Sequence, residues 1–107
     1  MAIQATGPLL DGCVLSIIAR EDAYGYSLTQ SVKETLDVSE STLYPVMRRL
    51  QMDECLTVYD VPHSGRNRRY YKITERGQGK LCEILSEWTG FKEKIDAFLV
   101  REGGIQQ

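Results

Sequence analysis

The chain reads as a mainly α-helical fold that carries one two-stranded β-hairpin and closes on a long amphipathic helix. Three observations predict it. Apolar residues recur at three- and four-residue steps across residues 9–18, 28–36 and 43–50. Two strand-like runs, Leu56 to Val61 and roughly Arg69 to Ile73, flank the segment PHSGRNRR, whose glycine suits a tight turn. From residue 81 onward, apolar and aromatic residues repeat every seven positions. With 107 residues, 42% of them hydrophobic, the chain has room for a single domain, 1–107, in which 9–73 precede the closing helix at 74–100. So small a core is marginal alone and gains from a partner subunit.

Taken in order, Thr6-Gly7-Pro8 is a helix start, because Pro8 falls near the first helical position, where its missing N–H does no harm. Leu9, Leu10, Cys13, Val14, Ile17 and Ile18 then form a broad apolar stripe as far as about Arg20. The stripe is wider than one core needs, so part of it is expected to meet another subunit. Glu21-Asp22-Ala23 breaks the pattern, and Tyr24 is expected to pack the corner between helices. The second helix spans about Ser27 to Leu36, with Leu28, Val32 and Leu36 on one line. Asp37-Val38 makes a turn, and Ser39 is a candidate N-cap for the third helix. There Leu43, Val46, Met47 and Leu50 build an apolar face, which leaves Ser41, Thr42, Arg48 and Arg49 largely outside it.

Pro45 is the discordant residue. It removes a helical hydrogen bond and crowds the preceding turn, so a kink or a distorted first turn is expected. After the hairpin, Thr74 caps the last helix, and Glu75 lies in its first turn, where negative charge is favourable. Leu81, Trp88 and Ile95 form one seven-residue series and Ile84, Phe91 and Phe98 a second, widened by Leu85 and Leu99. A long apolar seam on so small a domain has little core of its own to cover, and dimerisation is its simplest use. Gly90 weakens this helix by roughly 1 kcal/mol relative to Ala, and Arg101 to Gln107 reads as a frayed tail.

Composition narrows the function. No apolar run approaches the ~20 residues that cross a bilayer, and MAIQATGP lacks a basic region before its apolar stretch. Cys13, Cys55 and Cys82 are odd in number, widely spaced and without a CxxC pair, which suits reduced thiols in the cytoplasm. With one histidine and no clustered cysteines, no metal site and no cofactor are expected. The net charge of −2 looks wrong for a nucleic-acid binder, but its distribution does not. Residues 1–43 carry −4, residues 44–80 carry +4 and residues 81–107 carry −2. The positive charge thus falls on the third helix and the hairpin, where Arg66, Arg68 and Arg69 cannot be buried unpaired.

A helix with polar residues at its start, followed by a basic hairpin, is the plan of a winged helix-turn-helix. That unit sets its second helix in the major groove of double-stranded DNA and its wing along the backbone or the minor groove. The start of the second helix, with Tyr26 and Ser27, can meet a phosphate. No converging catalytic groups suggest an enzyme, His63 being isolated on the wing. A protein-contact module and a redox-responsive regulator using Cys13 and Cys82 are the competing readings.

Three motifs in order carry a resemblance. Tyr24-Gly25-Tyr26, Ser41-Thr42-Leu43-Tyr44-Pro45 leading to Arg49-Leu50, and Arg68-Arg69-Tyr70-Tyr71-Lys72-Ile73-Thr74 with Gly77 resemble the PadR family of bacterial transcriptional regulators. The short tail is similar to that of its small members, which have one C-terminal helix. The resemblance implies a homodimeric repressor with Ser41, Thr42, Tyr44 and Arg48 on the DNA-facing helix and a DNA-contacting wing. The wing departs from the family pattern, with Gly65-Arg66-Asn67 where a Gly-Gly often stands. Leu10, Val14, Leu81, Trp88, Ile95 and Phe98 are the expected dimer interface. Small PadR-like proteins are similar in having an interface cavity for flat hydrophobic compounds. Here Trp88 and its symmetry mate would sandwich such a ligand, with Phe91, Val14 and Ile17 as walls.

Overall fold

A computed structural model describes residues 3, 5 and 7–100. Its order is α1 (Pro8–Arg20), β1 (Ala23–Tyr24), α2 (Gly25–Leu36), α3 (Glu40–Met52), β2 (Leu56–His63), β3 (Arg66–Ile73) and α4 (Glu75–Leu99). Pro8 opens α1 as expected; Thr6 and the tail at 101–107 lie outside the described residues. Ser39 caps α3 by accepting the Thr42 amide at 3.2 Å, and Thr74 caps α4 by accepting the Gly77 amide at 3.0 Å. Both Oγ atoms satisfy a helix-start donor that would otherwise be orphaned. Asp37 closes α2 in the left-handed region, φ 57°, and donates its amide to the Lys33 carbonyl. That turn sets α3 across α2.

The structure differs from the sequence reading in three ways. The hairpin is joined by a third strand, so the sheet is three-stranded and antiparallel, in the order β1-β3-β2. Two residues, Ala23 opposite Tyr71 and Tyr24 opposite Tyr70, are too short a run to show any alternation. The hairpin arms are also longer than expected, and only Ser64 and Gly65 are left as the turn. Both have positive φ, 52° and 80°, as a two-residue type I′ turn requires. Arg66, Arg68 and Arg69 therefore belong to a strand. Finally, α2 begins two residues before Ser27, and α3 runs through Pro45 as one helix.

The core lies between the three N-terminal helices and the inner face of the sheet. Leu10, Val14, Leu15 and Ile18 of α1 meet Leu28 and Val32 of α2, then Leu43, Val46, Met47 and Leu50 of α3, then Cys55 and Leu56. Each aliphatic side chain fully withdrawn from water contributes ~1.5–3 kcal/mol. α4 joins at its first half alone: Gly77 sits against the Cys55 carbonyl and Gly12 of α1 makes room for Ile84. Beyond Ile84 the helix carries no buried residue, and the described residues extend over 59 × 28 × 21 Å.

Candidate nucleic-acid interface

On α3 the face opposite Leu43, Val46, Met47 and Leu50 carries Ser41, Pro45, Arg48 and Met52, with Tyr44 at its edge. All five are exposed. Arg48 has no ion pair among the described residues, so its guanidinium is available to a base edge or a phosphate. Thr42 is exposed on the flank, with its hydroxyl 3.0 Å from Ser39 Oγ, while Ser41 Oγ lies 2.9 Å from the same atom. The three hydroxyls form one capping cluster, which fixes the start of the helix. Pro45 has no N–H, so the Ser41 carbonyl is left without its usual donor four residues on.

Arg49 is exposed as expected, but its guanidinium is already engaged. It donates to Asp11 of α1, a carboxylate almost wholly buried, whose other oxygen lies 3.7 Å from Lys80 Nζ of α4. One acid thus ties α1, α3 and α4 together. The three wing arginines also differ from one another. Arg66 is exposed beside the turn; Arg69 faces Asp60 across the strands at 3.7 Å. Arg68 lies 4.6 Å over the Tyr24 ring, a cation–π contact at the root of the wing.

Tyr24 does not fill a corner between helices. It pairs with the outer sheet face, 5.8 Å from Tyr70, which stacks on Tyr59 at 5.7 Å. Tyr59 donates to Asp22 at 2.6 Å, and that bond raises its phenol pKa. This ladder stiffens the base of the hairpin. At the start of α2, Tyr26 and Ser27 are exposed beside it.

A second surface lies between α1 and α4. Leu9, Cys13, Ser16, Leu81, Leu85 and Trp88 line an apolar groove of about 400 Å³. An adjoining hollow of about 290 Å³ is lined by Pro8, Leu9, Ile84, Trp88 and Phe91, with the carboxylate-bearing Glu87 at its edge. Trp88 stands between the two, 39% exposed, and Phe98 further along is 74% exposed. Val14 is 0% exposed, and Leu10 is buried with it in the protomer's own core, so neither can wall a ligand site or meet a subunit. Ile17 is half-buried against the same core and lies outside both hollows. The side of α1 that faces the groove is Leu9, Cys13 and Ser16. Cys55 is buried, Cys82 exposed, and burial pushes the Cys13 thiol pKa up, which disfavours the reactive thiolate.

The model of the Transcriptional regulator PadR-like family matches residues 14–83, most of the described fold. The chain is a member of the PadR-like family. An uncharacterized protein of Lysinibacillus sphaericus is 38% identical over 96 residues, 84% of this chain and 87% of that relative. Among solved structures, a Streptococcus mutans protein superposes with a TM-score of 0.85 at 34% identity, covering 100% of this chain and 99% of that one. A PadR-like transcriptional regulator from Bacillus cereus gives 0.76 at 32% identity, with 84% and 90% covered. This PadR-like protein is therefore a DNA-binding transcriptional regulator with a winged-helix fold and a long C-terminal helix, and not an enzyme.

Of the expected site residues, Ser41, Thr42, Tyr44 and Arg48 are exposed on α3, Arg66 and Arg69 on the wing, and Tyr26 and Ser27 at the start of α2, while Arg68 is half-buried. Two features of the α3 surface escape the periodicity argument. Met52 sits past the last apolar repeat, and Pro45 reads as a distortion of the helix although its ring is exposed. Away from that surface, the buried Asp11 stands out as an acid inside an apolar stripe, but its partner lies 38 residues away.

Proposed function

We propose that this PadR-like regulator binds a near-palindromic operator as a homodimer, each α3 entering a major groove and each wing following the backbone or the minor groove. The observation that carries this reading is the free guanidinium of Arg48 at the middle of an exposed helix face, with Arg66 beside the wing turn. Tyr26, Ser27, Arg68 and Arg69 contribute phosphate contacts, Ser41 and Tyr44 contacts to bases, and Thr42 acts through the cap. The dimer is built on α4, whose Trp88, Ile95 and Phe98 are uncovered in the protomer, with Leu81 at the rim of the groove. Mobility shift of the protein's own upstream DNA tests the reading. A dimer that shifts that fragment supports it, and a protein that shifts no duplex refutes it.

The regulator acts as a cytoplasmic repressor, released by a planar hydrophobic ligand that stacks on Trp88. The two mainly apolar hollows that share Trp88 in their linings favour this reading over a plain packed interface. Leu9, Cys13 and Phe91 are the walls, in place of Val14 and Ile17. A ligand there would change the spacing of the two α3 helices and loosen the grip on DNA. Quenching of Trp88 by planar aromatics, absent in Trp88→Ala, is the expected result; equal binding by the variant would contradict it.

A further inference from the structure

We infer that Pro45 and Met52, with the edge of Tyr44, form an apolar seat that reads the 5-methyl group of thymine. The inference rests on the placement of α3 in the major groove and adds what that helix reads there. Ser41, Pro45, Arg48 and Met52 follow one another at four-, three- and four-residue steps, so they form a single line along the outer face. Two of the four are apolar; Met52 is 76% exposed and Tyr44, about two turns nearer the helix start, is 53% exposed. Together with Ser41, Arg48, Arg49 and, at the end of the helix, the acidic Asp53 they surround a shallow depression of about 470 Å³. Among the described residues nothing covers it. The positive charges of Arg48 and the wing commit this face to a polyanion, which makes apolar side chains at its centre costly unless the partner offers an apolar group. In the major groove the thymine methyl is that group.

A T·A pair presents a methyl and, on its adenine, an amino donor, whereas a C·G pair presents a donor without the methyl. The methyl alone tells the two apart, so an apolar seat favours T·A over C·G.

The test starts from duplexes that the full-length protein selects from a random library. Selected thymines are then replaced singly by deoxyuridine, which deletes the methyl and keeps the base pairing. At seat positions each lost methyl should weaken binding about fourfold, and the symmetric pair about sixteenfold, the equivalent of ~0.8 kcal/mol per buried carbon. Pro45→Ala restores an ordinary helix and Met52→Gln alters an exposed side chain, so both should fold, and both should bind thymine and deoxyuridine operators more nearly alike. An operator in which every thymine tolerates deoxyuridine would overturn the seat while leaving DNA binding intact. Enrichment of no duplex would overturn both.

Discussion

α3 and α4 are both amphipathic, yet they have solved opposite problems. The apolar face of α3 is consumed by its own domain: Leu43, Val46, Met47 and Leu50 are buried. What remains outward is a short polar display with two arginines, Arg48 and Arg49, the hydroxyls of Ser41 and Thr42, and the apolar Pro45 and Met52. The first half of α4 does the same through Ile84, but Leu85, Phe91, Phe98 and Leu99 are more than half exposed, and Trp88 and Ile95 over a third. A helix whose apolar face is satisfied offers its other face to a partner of different chemistry. A helix whose apolar face is left over waits for another apolar face. The two surfaces on this PadR-like protein are thus distinguished by what folding has already used up.

The sharpest way to break that contrast is Phe98→Asp. The side chain is exposed in the protomer, so the domain should fold, while a charge placed in an apolar seam should abolish assembly. Monomers by sedimentation, with operator affinity down at least about a hundredfold through lost bivalency, are the expected outcome. A folded, fully dimeric variant would mean that the seam is not the interface. Gly77→Ala attacks the joint between the two regions instead. A Cβ there would lie 2.1 Å from the Cys55 carbonyl oxygen, and backbone cannot yield as a flexible side chain would. A loss of ~1–3 kcal/mol or more in denaturant stability is expected, against little change if α4 can slide.

On the DNA-facing side the two kinds of arginine should separate. Arg48→Ala should change which base pairs are preferred, at ~1–3 kcal/mol for a good base contact. Arg66→Ala should weaken all duplexes alike and reduce the slope of log affinity against log salt by about 1. Identical profiles for the two would show that the helix and the wing do not divide the work in this way. The smallest effect belongs to Cys13→Ser. With a thiol whose pKa burial raises, mild oxidation should leave operator affinity unchanged in wild type and variant, and a large loss confined to wild type would revive a redox switch.

Much of the fold was readable because it follows short-range rules. Periodicity located the four helices, Ser39 and Thr74 marked two helix starts, and the glycine of PHSGRNRR marked the wing turn. What was lost depends on which elements meet. The apolar residues of α1 look alike in sequence, but Leu10 and Val14 turn to the core while Leu9 and Cys13 turn to the groove. A stripe gives a direction around one helix and says nothing of which neighbour lies there. Arg49 sits at the edge of the apolar face of α3, where either solvent or a buried acid could receive it, and only the approach of α1 decides for Asp11. β1 exists through its pairing with β3 rather than through any pattern of its own. On the candidate site, the free arginines were legible as charge, whereas the apolar pair Pro45 and Met52 needed the helix face to be seen whole.

The central claim is that α4 holds two α3–wing surfaces at a fixed spacing on one duplex. Hydroxyl-radical footprinting of the wild-type protein on its own upstream DNA, with the bound stoichiometry measured on the same complex, tests it most directly. Two chains per duplex and two protected patches related by two-fold symmetry, about one helical turn or ~34 Å apart, are expected. A single protected patch occupied by one chain would contradict it.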